Sequence, residues 1–144
     1  GWSVGTFSRS SWLDAHSFLN PIAFGLDGYI YNQESGNSDD GAALTRFVKW
    51  APIDLKDGDR VLNCNRIVQS ATVTSGVLQF ELEFARWPQD TVTTKGPYSI
   101  TSTTKYNRVR GQGRQMGYRL FSETNNDSWR LGTMRADLSE GPYR

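Results

Sequence analysis

The chain has 144 residues, of which 37% are hydrophobic, 22% charged and 12% aromatic, a globular balance that excludes an intrinsically disordered tail. A formal net charge of +1 excludes steering by overall charge, and a single cysteine, Cys64, excludes an internal disulfide framework or a cysteine-built metal cluster. No apolar run approaches the length of a membrane span, so no membrane insertion by this segment is expected.

In chain order, Ile22 to Phe24 and Tyr29 to Tyr31 flank Gly25-Leu26-Asp27-Gly28, which predicts a short hairpin with glycine supplying positive φ. Asp40 to Lys49 reads equally well as a short helix, through Ala43 and Phe47, or as a strand over Thr45 to Trp50. Asp57-Gly58-Asp59 predicts a turn leading into a strand over Arg60 to Gln69. Leu78, Phe80, Leu82 and Phe84 alternate with Gln79, Glu81 and Glu83, the period of two expected of a strand with one wet face. Met116, Tyr118 and Leu120 alternate likewise, as do Trp129, Leu131 and Thr133. Further turn signals stand at Asn20-Pro21, Asp39 to Gly41, Thr74 to Gly76, Gly96-Pro97, Gly111 to Gly113 and Asn125 to Ser128. This cadence predicts an all-β fold of antiparallel sheets, propeller-like or sandwich. A soft boundary near Ser70 to Gly76 divides a β-rich segment of hairpins (1–75) from an antiparallel sheet or sandwich segment (76–144).

The two segments differ in charge. Residues 1–75 hold eight acids against six bases, residues 76–144 seven against ten. No acid lies between Asp90 and Glu123, while Lys95, Lys105, Arg108, Arg110, Arg114 and Arg119 do. On strands joined by a tight turn at Gly111 to Gly113, Arg108, Arg110, Arg114 and Arg119 would gather on one hairpin. Such a set could be a solvated face, pair with carboxylates of a neighbouring subunit, or contact phosphates without sequence preference.

Other constellations are weaker. His16, the one histidine, has no second ligand at metal-binding spacing and reads as an ordinary loop residue. Asp54, Asp57 and Asp59 fail the calcium-loop pattern, because the twelfth position is Asn65 or Val68 rather than Glu. Arg110 to Arg114 lacks the Gly-Lys-Ser/Thr and helix of a phosphate loop. Glu81 and Glu83 lie on a wet strand face with nothing to split their acidities. Cys64 reads as a small core residue in a protein made under reducing conditions. No catalytic residue, metal or cofactor is therefore expected, and the chain reads as a non-enzyme.

Arg108 to Arg144 resembles the C-terminal end of the tail nozzle proteins of short-tailed bacteriophages, also called tail tubular or packaged-DNA stabilisation proteins. The similarity is carried by Gly113-Arg114, Trp129-Arg130-Leu131-Gly132 and the final Arg144. Upstream, Trp2 to Thr6, Asp27 to Tyr31, Asp40 to Ala42 and Gly96 to Tyr98 resemble the same family in the same order. Glu140-Gly141-Pro142-Tyr143 departs from its Gly-rich, doubly basic tail.

The resemblance implies a β-propeller-type body in a homo-oligomeric ring at the tail tip of a virion, made in the host bacterial cytoplasm. Its partners would be other phage tail proteins and packaged DNA, contacted non-specifically. It implies a DNA channel and no catalysis, and it carries over no motif-defined functional residues. It also implies a longer protein, in keeping with a first residue that is not Met. From the residues themselves, Arg108, Arg110, Arg114 and Arg119 read as the interacting set and Tyr118 and Trp129 as core or interface anchors. A carbohydrate- or receptor-binding sandwich is the alternative, with exposed Trp12, Trp50 or Trp87 stacking on sugar rings. Another virion part, such as a head–tail adaptor, fibre anchor or decoration protein, is a third reading.

Overall fold

The computed structural model describes residues 8–15, 18–39, 41–54 and 58–141, and every described element is a β-strand. The chain forms two compact units, Gly1–Gly36 and Asn37–Arg144. The division therefore falls after Gly36, whereas Ser70 to Gly76 lies inside the second unit, where it carries the chain from one sheet to the other.

The first unit is a three-stranded antiparallel sheet of Arg9–Leu13 (β1), Ile22–Gly25 (β2) and Ile30–Asn32 (β3), in that order. The β2–β3 turn closes through a bond from the Gly25 amide to the Tyr29 carbonyl, with Gly28 at φ +87°. Asp27 fixes this turn by accepting from the Tyr31 hydroxyl at 2.6 Å and the Tyr29 amide at 3.1 Å. The Tyr31 hydroxyl, and then the Tyr29 amide, hold its carboxyl below the usual range.

The second unit is a sandwich. Its strands are Ser38–Asp39 (β4), Ala42–Ala43 (β5), Arg46–Asp54 (β6), Leu62–Ser75 (β7), Leu78–Ala85 (β8), Thr93–Ile100 (β9), Asn107–Gly113 (β10), Gln115–Ser122 (β11) and Ser128–Glu140 (β12). One sheet runs β10-β7-β12, the other β6-β11-β8-β9, and β4 and β5 form a separate hairpin. The segment that reads either way in sequence is thus strand. Between β6 and β12 only the β8–β9 connection stays within one sheet, and every other connection crosses between the two.

The core follows from alternation. Leu78, Phe80, Leu82 and Phe84 of β8 and Met116, Tyr118 and Leu120 of β11 are buried against Leu62, Cys64, Ile67 and Val73 of β7 and Val109 of β10. Burying each large side chain contributes about 1.5–3 kcal/mol, which β8 gains four times on one face. On β7 the buried parity switches after Cys64. Against β12, Asn65 is the extra residue of a bulge, while against β10 the two residues Val109 and Arg110 stand opposite Asn65 alone, so there the extra residue belongs to β10. On β12 a similar shift between Leu131 and Met134 turns Met134, not Thr133, toward the core.

Two sequence signals mark something other than a hairpin turn. Gly96-Pro97 sits within β9 at a register shift, where a side chain at residue 96 would meet the Phe80 carbonyl at 2.9 Å. Gly111 to Gly113 lies within β10, and the chain bends at Arg114 into the opposite sheet. Strands that change sheet at such a corner are a feature of packed sandwiches.

Candidate functional site: the β10 edge

β10 is an edge strand, hydrogen-bonded to β7 alone. Val109 and Gly113 are buried, while Arg108, Arg110 and Gln112 are exposed. The register with β7 shifts between Arg108 and Gly111, where Val109 and Arg110 together face the single residue Asn65. Gly111 is required by close approach: a β-carbon there would stand 2.1 Å from the Phe84 ring.

One end of β10 is tied to the other sheet by a relay. The Gln69 amide donates to Asn107 Oδ1 at 2.7 Å, and Asn107 donates to the Ser99 carbonyl of β9 at 3.1 Å. Just beyond the other end, the Arg114 amide donates to the Ala85 carbonyl at 2.9 Å. Between these ties lie two clefts. One, of about 580 Å³, is lined by Asn63, Asn65, Thr93, Lys95, Arg110 and Gln112, with Gly111 and Phe84 also contributing. The other, of about 320 Å³, includes Arg108, Arg110, Tyr106 and the Arg66–Asp137 ion pair, whose closest atoms are 3.1 Å apart.

The four arginines of the sequence reading do not form one cluster. Arg108 and Arg110 stay together on β10, and neither side chain makes a hydrogen bond or ion pair among the described residues. Arg114 is half-buried, its guanidinium 4.1 Å from the Trp87 ring centroid and donating to the Gly58 carbonyl at 3.0 Å. Arg119 lies on the outer face of the β6-β11-β8-β9 sheet, 3.2 Å from Glu81 and stacked near Phe121. The expected hairpin is absent because β10 and β11 belong to different sheets.

Tyr118 and Trp129 both pack in the core. Tyr118 stacks on Phe80 at 5.4 Å and meets Trp50 edge-on at 5.1 Å, and burial pushes its phenol well above the usual range. Trp129 donates to the Ser122 hydroxyl at 2.9 Å. Cys64 is buried, and desolvation raises its thiol pKa, which disfavours the reactive thiolate.

Asp127 carries a role that sequence reasoning missed. It is fully buried and accepts from the Val77 and Thr124 amides and the Thr124 hydroxyl, while its carboxylate fills the space a side chain at Gly76 would need. Asp three residues after Thr in a turn was the available signal. Among the described residues, no group of three His, Cys, Asp or Glu could hold a metal ion, and no helix is long and apolar enough to cross a membrane. His16, Asp40 and Asp57 lie outside the described residues, as do Trp2 to Thr6 and Arg144.

No protein-family model matches this chain, and no curated protein sequence is similar to it.

Proposed function

We propose that the chain is a non-enzymatic structural module of a bacteriophage tail, part of a homo-oligomeric nozzle ring that retains and conducts packaged DNA. The observation that carries the reading is the pair Arg108 and Arg110, exposed on an edge strand with no carboxylate answering either side chain among the described residues. Repeated around a ring, two such cations per subunit would line a passage with many weak phosphate contacts, each insensitive to sequence. The ordered motifs from Asp27 to Gly132 support the same assignment. The body supplied by this chain is a sandwich, so in the ring it acts as a module beside any propeller.

Sugar stacking on Trp50 and Trp87 would compete with contacts that both rings already make, though each, like Trp12, remains exposed. Trp50 is engaged with Tyr118, and Trp87 carries the Arg114 guanidinium on its ring.

The test is immunogold labelling of source particles with an antibody to the chain, together with the double variant Arg108→Glu/Arg110→Glu. Label at the tail tip and early genome release by the variant particles are expected. Label elsewhere on the particle, or variant particles that keep their DNA and infect at normal yield, would sink the reading. Arg114 is unsuited to this test, because its loss also removes the Trp87 and Gly58 contacts.

A further inference from the structure

We infer that the larger cleft, which runs over Gly111 between the β9 and β10 edges, is a binding site for a carboxylated sugar, such as one residue of an acidic polysaccharide. The inference goes beyond the tail reading and does not depend on ring assembly, though it gives Arg110, which that reading assigns to DNA, a second ligand.

The cleft combines two kinds of group. Lys95 and Arg110 bring positive charge, and none of its lining residues is acidic. Asn63, Asn65 and Gln112 bring three amides, and Thr93 a hydroxyl. The side-chain amides of Asn63 and Gln112 make no hydrogen bond among the described residues, while Asn65 spends one N–H on Ser139 at 3.3 Å. Each amide therefore keeps an acceptor oxygen as well as donor capacity. The volume of about 580 Å³ lies in the range typical of small-ligand sites.

That mixture discriminates between ligand classes. A phosphodiester backbone offers its oxygens as acceptors only, so it would satisfy the cations and leave the amide oxygens without donors. A neutral sugar offers hydroxyls that both donate and accept, but leaves Lys95 and Arg110 without counter-charge. A sugar bearing a carboxylate beside its hydroxyls answers both sets, with the arginine fork suited to a planar carboxylate.

The floor is suited to close approach. Gly111 projects no side chain, and the Phe84 ring occupies the space directly on its inner side, so a ligand can rest against bare backbone. Asn65 is left unpaired on both sides, as the bulge residue against β12 and as the single residue facing the two-residue bulge of β10, which sets its amide out of the regular ladder, as bulges beside binding sites do. The Asn107–Ser99 bond holds the two edges together at one end, so the cleft exists before any ligand enters.

Calorimetric titration of the 144-residue chain with trigalacturonate and with sialyllactose tests this, with maltotriose and a thymidine hexanucleotide as comparisons. At least one acidic sugar should bind, and maltotriose should not. Lys95→Gln/Arg110→Gln should weaken that binding by about ten-fold or more, the scale of a lost charge-assisted contact. Asn63→Ala/Gln112→Ala should weaken it roughly five-fold, as expected for lost neutral hydrogen bonds. Thermal unfolding of both variants should match the parent chain. Failure of both acidic sugars to bind would overturn the inference. So would equal or tighter binding of the hexanucleotide, or an amide variant with unchanged affinity, since plain charge attraction does not sense amides.

Discussion

Two basic regions of the second unit come from neighbouring stretches of sequence and behave differently. On the outer face of the β6-β11-β8-β9 sheet, Lys49 and Arg119 stand directly opposite each other in register, a like-charge pair that would repel if left alone. Glu81 and Glu83 of β8 answer them, at 3.2 Å from Arg119 and 2.7 Å from Lys49. Lys49 reaches Glu83 across Gly117, where a side chain would crowd the carboxylate. On β10, Arg108 and Arg110 have no such answer among the described residues. Charge on a broad sheet face is settled by cross-strand neighbours. Charge on an edge strand has a neighbour on one side only, and is left for something outside the unit.

The comparison can be broken from the backbone first. Gly111→Ala should destabilise the chain by roughly 2–3 kcal/mol, because the added methyl must displace the buried Phe84 ring. Urea unfolding would read this, and partial recovery on adding Phe84→Leu would tie the loss to that contact. An unchanged midpoint would mean β10 is free to move away, and the cleft over it would lose its floor.

Arg114→Ala should cost about 1–2 kcal/mol, from the lost stack on Trp87 and the bond to the Gly58 carbonyl. The same change should alter Trp87 fluorescence. Arg119→Ala should cost about 0.5–1 kcal/mol, from a partly solvated pair with Glu81 together with its packing over the Phe121 ring. That loss should shrink further in high salt, whereas the Arg114 effect should persist. Equal salt sensitivity at both positions would erase the distinction between an arginine held by a ring stack and a carbonyl bond and one held by a ring and an ion pair.

The smallest effect on stability belongs to the edge. Arg108→Gln/Arg110→Gln should shift unfolding by less than about 0.5 kcal/mol, the range of surface changes that break no contact. In a duplex-DNA binding assay, however, the slope of log affinity against log salt should fall by about two, one per lost phosphate contact. A large stability loss in that variant would show that these cations are structural after all.

Much of the fold was legible in the chain. β8 could be read from Leu78 to Phe84 because both of its faces are ordinary, one sealed and one wet, and the β2–β3 hairpin from its Gly25 to Gly28 turn. Less legible were the places where periodicity breaks. Asn65 and the shift before Met134 move side chains to the opposite face by one inserted residue, which a pattern of twos cannot announce. Glycine misled in the same way: at Gly96 and Gly111 it marks close approach of backbone to Phe80 and Phe84, not a reversal of the chain. For the site, Arg108 and Arg110 were visible as charge, but their separation from Arg114 and Arg119 was not.

By itself the sequence determined that this chain is made of strands, because alternation of apolar and polar residues acts over a few positions and needs no distant partner. It also marked the core face of the regular strand β8, Leu78 to Phe84, and Cys64 as a core residue. Only the tertiary structure decided which sheet each strand joins, and with it which arginines are answered. That choice depends on contacts between residues far apart in the chain: Arg119 meets Glu81 across 38 positions, whereas Arg108 and Arg110, on an outermost strand, form no ion pair among the described residues.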